Sequence, residues 1–166
     1  MQIELRRLKA NHLYTEGQIL INDLVTIPYA VEHTLSMLPI GEYHIRLAKD
    51  KKRRRVIGIF LPKVKGKSLN SHPSSLNSHP SSLNHKPSSL NLLEYFEPGH
   101  SFLSAKAHGT IIIGELLIPG SVQKGREHYD RLFDRIEKCE QRGEPITLTI
   151  TDDCCKESTP IRHWLT

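Results

Sequence analysis

The sequence predicts an α+β domain, mostly antiparallel β-sheet or a small barrel, with one C-terminal amphipathic helix. Three observations predict it. Short segments with apolar residues at alternate positions recur along the chain and are punctuated by Gly, Pro and Asn-Asp turns. One stretch alone, residues 124–142, carries apolar residues at helical spacing. A run of near-identical seven-residue units divides the strand-like segments in two.

Taken in order, residues 2–8 read as a first strand, with Ile3 and Leu5 in phase and Leu8 slightly out of it. Thr15-Glu16-Gly17 reads as a turn, 18–21 as a second strand, Asn22-Asp23 as a tight turn and 24–27 as a third strand. Met37 to Gly41 holds Pro39 and Gly41 at turn-compatible spacing. Tyr43, Ile45 and Leu47 then share one strand face, and 56–61 returns as a hairpin partner across a basic loop. Residues 94–97 form a short extended piece, and 98–101 a turn. The β-branched run Ile111-Ile112-Ile113 reads as a buried strand closed by Pro119-Gly120. In 124–142, Tyr129, Leu132, Phe133, Ile136 and Cys139 make one face, and Gly143 stops the helix. Cys139 continues that apolar stripe and reads as a small core residue. A last strand follows at 146–150, where Ile146, Leu148 and Ile150 alternate with threonines.

The repeat places Ser-Leu-Asn at 68–70, 75–77, 82–84 and 89–91, with Pro73, Pro80 and Pro87 at the same period. One leucine and one proline per unit make neither a helix nor a coiled-coil seam. The prediction is a single β-rich domain built from 1–67 and 89–152, a low-complexity, disordered insertion at 68–88, and a tail at 153–166. The insertion reads as duplication without function, and its histidines, His72, His79 and His85, as too widely spaced in a flexible chain for a metal site.

Composition narrows the function. Hydrophobic residues are 37% of the chain and charged residues 25%, enough for a modest core. No unbroken apolar run is longer than Ile111-Ile112-Ile113, so no membrane span is expected. The start, MQIELRRLKA, has charges where a signal peptide needs apolar residues, and the three cysteines are an odd count. A reducing, cytoplasmic setting is expected. No CxxC or HExxH occurs, and neither a metal nor another cofactor is expected. The net charge of +5 is concentrated in Lys49 to Arg55 and in Lys63, Lys65 and Lys67. Arg53, Arg54 and Arg55 are the candidate phosphate contacts, but no aromatic ring lies nearby to stack a base. Nucleic acid is therefore the less favoured partner, and a solvated hairpin tip the plainer reading.

Several short motifs together resemble a family. They are Tyr14-Thr15-Glu16-Gly17, Leu38-Pro39-Ile40-Gly41-Glu42-Tyr43, Glu97-Pro98-Gly99-His100 and Gly109-Thr110-Ile111-Ile112-Ile113-Gly114-Glu115. Their order is similar to that in the bacterial and phage proteins grouped as domain of unknown function 5675, common in Bacteroides-type genomes. The resemblance covers residues 1 to about 152 and leaves out the repeat and the tail. Typical members carry a histidine and a cysteine in the two last motifs, a pair that resembles the site of L,D-transpeptidases. There a cysteine thiolate attacks a peptidoglycan peptide and a histidine acts as base. This chain has Glu97 at the histidine position and Thr110 at the cysteine position. A threonine hydroxyl is a poor nucleophile without a positioned base, and His100 and His108 are the nearby histidines. The resemblance implies a binding or accessory module of mobile-element or phage origin. Glu97, His100, His108 and Thr110 would hold a cell-wall peptide or glycan fragment. The alternative it implies is a divergent cell-wall hydrolase or transpeptidase in which Thr110 works with His108 or His100.

Overall fold

The computed structural model describes residues 1–50, 52, 54–62, 92–108 and 110–154, with the backbone alone for 106–108. The 68–88 repeat, Arg53, most of the predicted tail and the side chain of His108 lie outside the described residues.

The chain is mostly β, with eight strands forming a closed barrel and two helices. The strands are β1 (Gln2–Ala10), β2 (Tyr14–Ile21), β3 (Leu24–His33), β4 (Gly41–Lys49), β5 (Arg55–Phe60), β6 (Leu92–Glu97), β7 (Thr110–Ile118), β8 (Ser121–Gln123) and β9 (Thr147–Asp152). Helix α1 (Phe102–His108) lies between β6 and β7, and α2 (Gly125–Gln141) between β8 and β9. The sheet order is β3-β2-β1-β9-β4-β5-β6-β7-β8, and a β3–β7 pairing closes it. Closure leaves β8 as a short flap on β7. Most neighbours are antiparallel, but β1–β9 and β6–β7 are parallel.

The predicted single helix is thus corrected to two. Parallel neighbours cannot be joined by a tight turn, so β6 must return to the same end of the barrel before β7 begins. Helix α1 makes that crossover, packing Ala105 and Phe102 against Tyr29, Val31, Ile112 and Val122 on the outer wall. The expected turn at Thr15-Glu16-Gly17 is also corrected, because all three residues pair within β2.

Side-chain alternation fills the lumen. Ile3, Leu5, Ile19, Ile45, Ile57, Ile59, Phe96, Ile111, Ile113, Leu148 and Ile150 belong to one core cluster and are almost wholly buried. Eight strands leave an interior just wide enough for such side chains. Helix α2 plugs the end where β1 begins, inserting Tyr129, Leu132, Ile136 and Cys139 into the same cluster. The opposite end is polar. Arg7 continues the inward phase of Ile3 and Leu5, and its guanidinium makes two 2.8 Å bonds to Glu32 on β3. It also donates to the Leu38 carbonyl at 2.7 Å, so the 34–40 connection caps this end. Arg7 and Glu32 are each only 2% exposed.

Candidate functional site

Strand alternation decides where the predicted site residues face. On β6, Phe96 points into the barrel core, so Tyr95 and Glu97 face outward. On β7, Ile111 and Ile113 point inward, so Thr110 and Ile112 face outward. The parallel register pairs Tyr95 with Thr110 and Glu97 with Ile112. Glu97 and Thr110 therefore share the outer face of adjacent strands, one pleat repeat apart. The structure does bring these two positions together, across the α1 crossover that separates them in the chain.

Access is another matter. Thr110 is 2% exposed, and its Oγ has no hydrogen-bond partner among the described residues. Glu97 is half-buried beside it. His100 is exposed on the loop that leads to α1, where its carbonyl accepts a 2.8 Å bond from the Val122 amide. That bond pins the loop to β8. The chain crosses tightly above Ile112 here, since a Cβ on Gly99 would come within 2.7 Å of the Ile112 side chain. The backbone of His108 ends α1, directly before β7. A serine- or threonine-type nucleophile needs a base within about 2.6–3.2 Å of its hydroxyl. No described side chain stands in that relation to Thr110.

The basic hairpin tip is also partly spoken for. Arg54 binds Asp50 through its Nη2 at 2.7 Å, and its amide donates to the same carboxylate at 2.8 Å. Arg55 reaches across to Glu137 of α2 at 2.7 Å, with its guanidinium carbon 5.2 Å from the centre of the Phe133 ring. Both arginines are thus used to close the hairpin and to dock α2. No group of three or more metal-ligating side chains occurs among the described residues. No helix among them is long and apolar enough to cross a membrane.

A second cluster, not singled out in the sequence, lies at the polar end of the barrel. Glu94 points inward from the start of β6 and is 8% exposed. Burial pushes its carboxyl up to about 8, with the Glu32 charge adding to the rise and Arg7 opposing it. One guanidinium thus faces two interior carboxyls, and it is committed to Glu32. For Arg7 itself, burial works against the charge, but the Glu32 carboxylate outweighs it, and the net shift is upward. Tyr43 has its hydroxyl bonded to the Pro39 carbonyl at 2.7 Å, which ties the 34–40 cap to β4. The signal that could have found this cluster is phase: Arg7 keeps step with Ile3 and Leu5, and Glu94 with Phe96.

A third polar contact fixes the flap. The Tyr29 hydroxyl donates to Glu16 at 2.7 Å and accepts from the Gly120 amide at 2.9 Å. Gly120 has φ +77°, and a Cβ there would meet the Tyr14 and Phe102 rings within about 3 Å, so the turn needs glycine.

No family model matches the chain, and no curated protein or solved structure matches it either.

Proposed function

We propose that this barrel is a non-catalytic binding module, and that the outer face of β6 and β7 around Glu97 and His100 holds a peptide or glycan fragment of cell-wall type. The resemblance in motif order supports the ligand class. The observation that carries the non-catalytic half is Thr110, which stands where the resembling family has its cysteine. Its hydroxyl is enclosed and has no hydrogen-bond partner among the described residues. A hydroxyl enclosed away from substrate has no route to attack a carbonyl. The exposed His100 and the half-buried Glu97 remain as polar groups that can meet a ligand from the solvent side.

The test is incubation with soluble muropeptides, followed by NMR titration and intact-mass measurement. Reversible binding without any mass adduct or new product is expected. His100→Ala should weaken that binding. Thr110→Val, which keeps the shape and removes the hydroxyl, should leave it unchanged and raise stability by about 1 kcal/mol, because an unpaired buried hydroxyl is lost. Turnover, or a covalent adduct that disappears in Thr110→Val, would instead establish the hydrolase or transpeptidase reading. No binding at all would remove the ligand class.

A further inference from the structure

Most charges of α2 are sorted by face. Lys124, Arg131, Arg135, Lys138 and Arg142 follow one another at steps of seven, four, three and four residues. At 3.6 residues per turn these steps keep the five side chains on one flank of the helix and its caps. The acidic residues Asp130, Asp134 and Glu137 fall on the neighbouring outward face, while Glu127 stands at the basic flank and pairs with Arg131.

The basic flank is solvent-exposed, and from Arg131 to Arg142 it also borders the barrel rim. It forms one wall of two successive hollows against the barrel rim. One, of about 140 Å³, is lined by Arg131 and Arg135 with Thr26 and Ile27 of β3 opposite. The other, of about 460 Å³, is lined by Arg135, Lys138 and Arg142 with Ile21 and Asn22 opposite. Arg135 lines both, so they are stations along one groove. The rim lining the hollows carries no carboxylate but includes Met1 with its N-terminal ammonium, and the hairpin tip beside Thr26 exposes Leu24 and Val25, at 73% and 53%, next to Asp23. Glu144 is the one carboxylate lining either hollow, and it is already bonded to Arg142 at 2.7 Å. Lys124 and Arg131 are likewise paired, with Glu115 and Glu127, whereas Arg135 and Lys138 have no carboxylate partner among the described residues.

We infer that this groove between α2 and the β2–β3 hairpin is a docking site for an acidic segment of a partner protein, bound in extended form. Three features select that occupant. The cation steps of three and four residues advance about 4.5 and 6 Å along the helix. Alternate side chains of an extended chain advance about 6.6 Å, so carboxylates at every second position keep near register with the arginines. The guanidinium fork of Arg135 binds a carboxylate through two parallel bonds. The apolar lip of Leu24 and Val25 receives the side chains between the acids. Nucleic acid fits less well, because no Phe, Tyr or Trp ring lines either hollow and the one imidazole there, His128, is buried. This site is separate from the β6–β7 face and does not depend on the reading of Thr110.

The probe is a fluorescein-labelled peptide of about ten residues alternating glutamate with leucine or serine, followed by fluorescence polarisation at low salt. The full chain should bind it, more weakly as salt rises. The double substitution Arg135→Ala/Lys138→Ala, at two exposed positions, should weaken binding at least tenfold with an unchanged melting temperature. Arg126→Ala, on the opposite flank, should leave binding as it was. A single-stranded oligothymidine of matched charge should bind less tightly than the peptide. The inference is overturned if the double variant binds the peptide as the parent does, if Arg126→Ala is equally damaging, or if the oligothymidine binds more tightly through the same two residues.

Discussion

Replacing Glu94 by glutamine tests the polar end of the barrel most directly. Glu94 is held at about 8 against an ordinary value of 4.5, chiefly by burial. A native carboxyl that binds its proton more tightly than the unfolded chain does stabilises the fold fully at pH values below the ordinary value. That stability drains away as pH rises towards 8, because the unfolded state gains freedom to ionise while the native state does not. Each pH unit of the difference is worth about 1.4 kcal/mol, so the whole window amounts to about 5 kcal/mol. Glu94→Gln keeps the shape and removes the titration. Its urea midpoint, followed by circular dichroism, should be flatter between pH 5 and 8 than the parent's, with the variant near parity at acid pH and clearly the more stable at pH 8. Parallel pH profiles for parent and variant would falsify this account, since Glu94 would then ionise as easily inside the barrel as outside it.

Other perturbations probe the same framework. Arg7→Ala leaves Glu32 buried without its guanidinium and should cost about 3 to 5 kcal/mol in denaturant unfolding, whereas Arg7→Met combined with Glu32→Leu should recover most of that loss. Gly17→Ala drives a Cβ to 2.5 Å from the Arg6 carbonyl oxygen on the neighbouring strand, and should lower stability by about 2 kcal/mol by calorimetry. Deleting 68–88 should keep cooperative melting and even add about 1 kcal/mol, because Phe60 and Leu92 are register partners and a shorter closure costs less entropy; a broad, non-cooperative melt would show that the segment is needed for folding.

The strands were legible where one face is buried and the other is wet. Ile3 and Leu5, Tyr43 to Leu47, and Ile146 to Ile150 each alternate, and each became a strand. The second half of β3 did not show itself. Pro28 interrupts it, and Tyr29 to His33 is buried on both faces because α1 covers the outside. The structure accommodates the proline at a break in the ladder, where the register slips between Gly17–Ala30 and Ile19–Ile27. Gly17 looked like a turn residue for a related reason. It is glycine because the β1 backbone passes too close for any side chain, a contact between segments that no local pattern reports. Helix α1, at seven residues, is too short to display a helical period, and only the parallel pairing of β6 with β7 demands it. For the candidate site, the motif order found Glu97 and Thr110, and the pleat explains why they share a face. It gave no hint that Thr110 would be enclosed, because enclosure depends on the three-dimensional packing around β7.

The two ends of the barrel constrain where any ligand can go. One end is sealed by the apolar face of α2, and the middle is filled by isoleucine, leucine and phenylalanine. The other is closed by Arg7, which links β1 to β3 across β2 and also holds the Leu38 carbonyl of the cap. A lumen packed in this way is a scaffold, not a container. Function therefore belongs to the outer surface, where the fold offers two different chemistries. The β6–β7 face and the loop after it carry a carboxylate, an imidazole and an enclosed hydroxyl. The flank of α2 carries Arg135 and Lys138, which have no carboxylate partner among the described residues, above a rim whose lining residues include no carboxylate. Both depend on α2: Gly125 at its start abuts the Gly99 backbone below the first, and its buried face holds the second against the barrel. A substitution that loosens α2, such as Leu132→Ala, must weaken both surfaces together, whereas His100→Ala and Arg135→Ala act on one each.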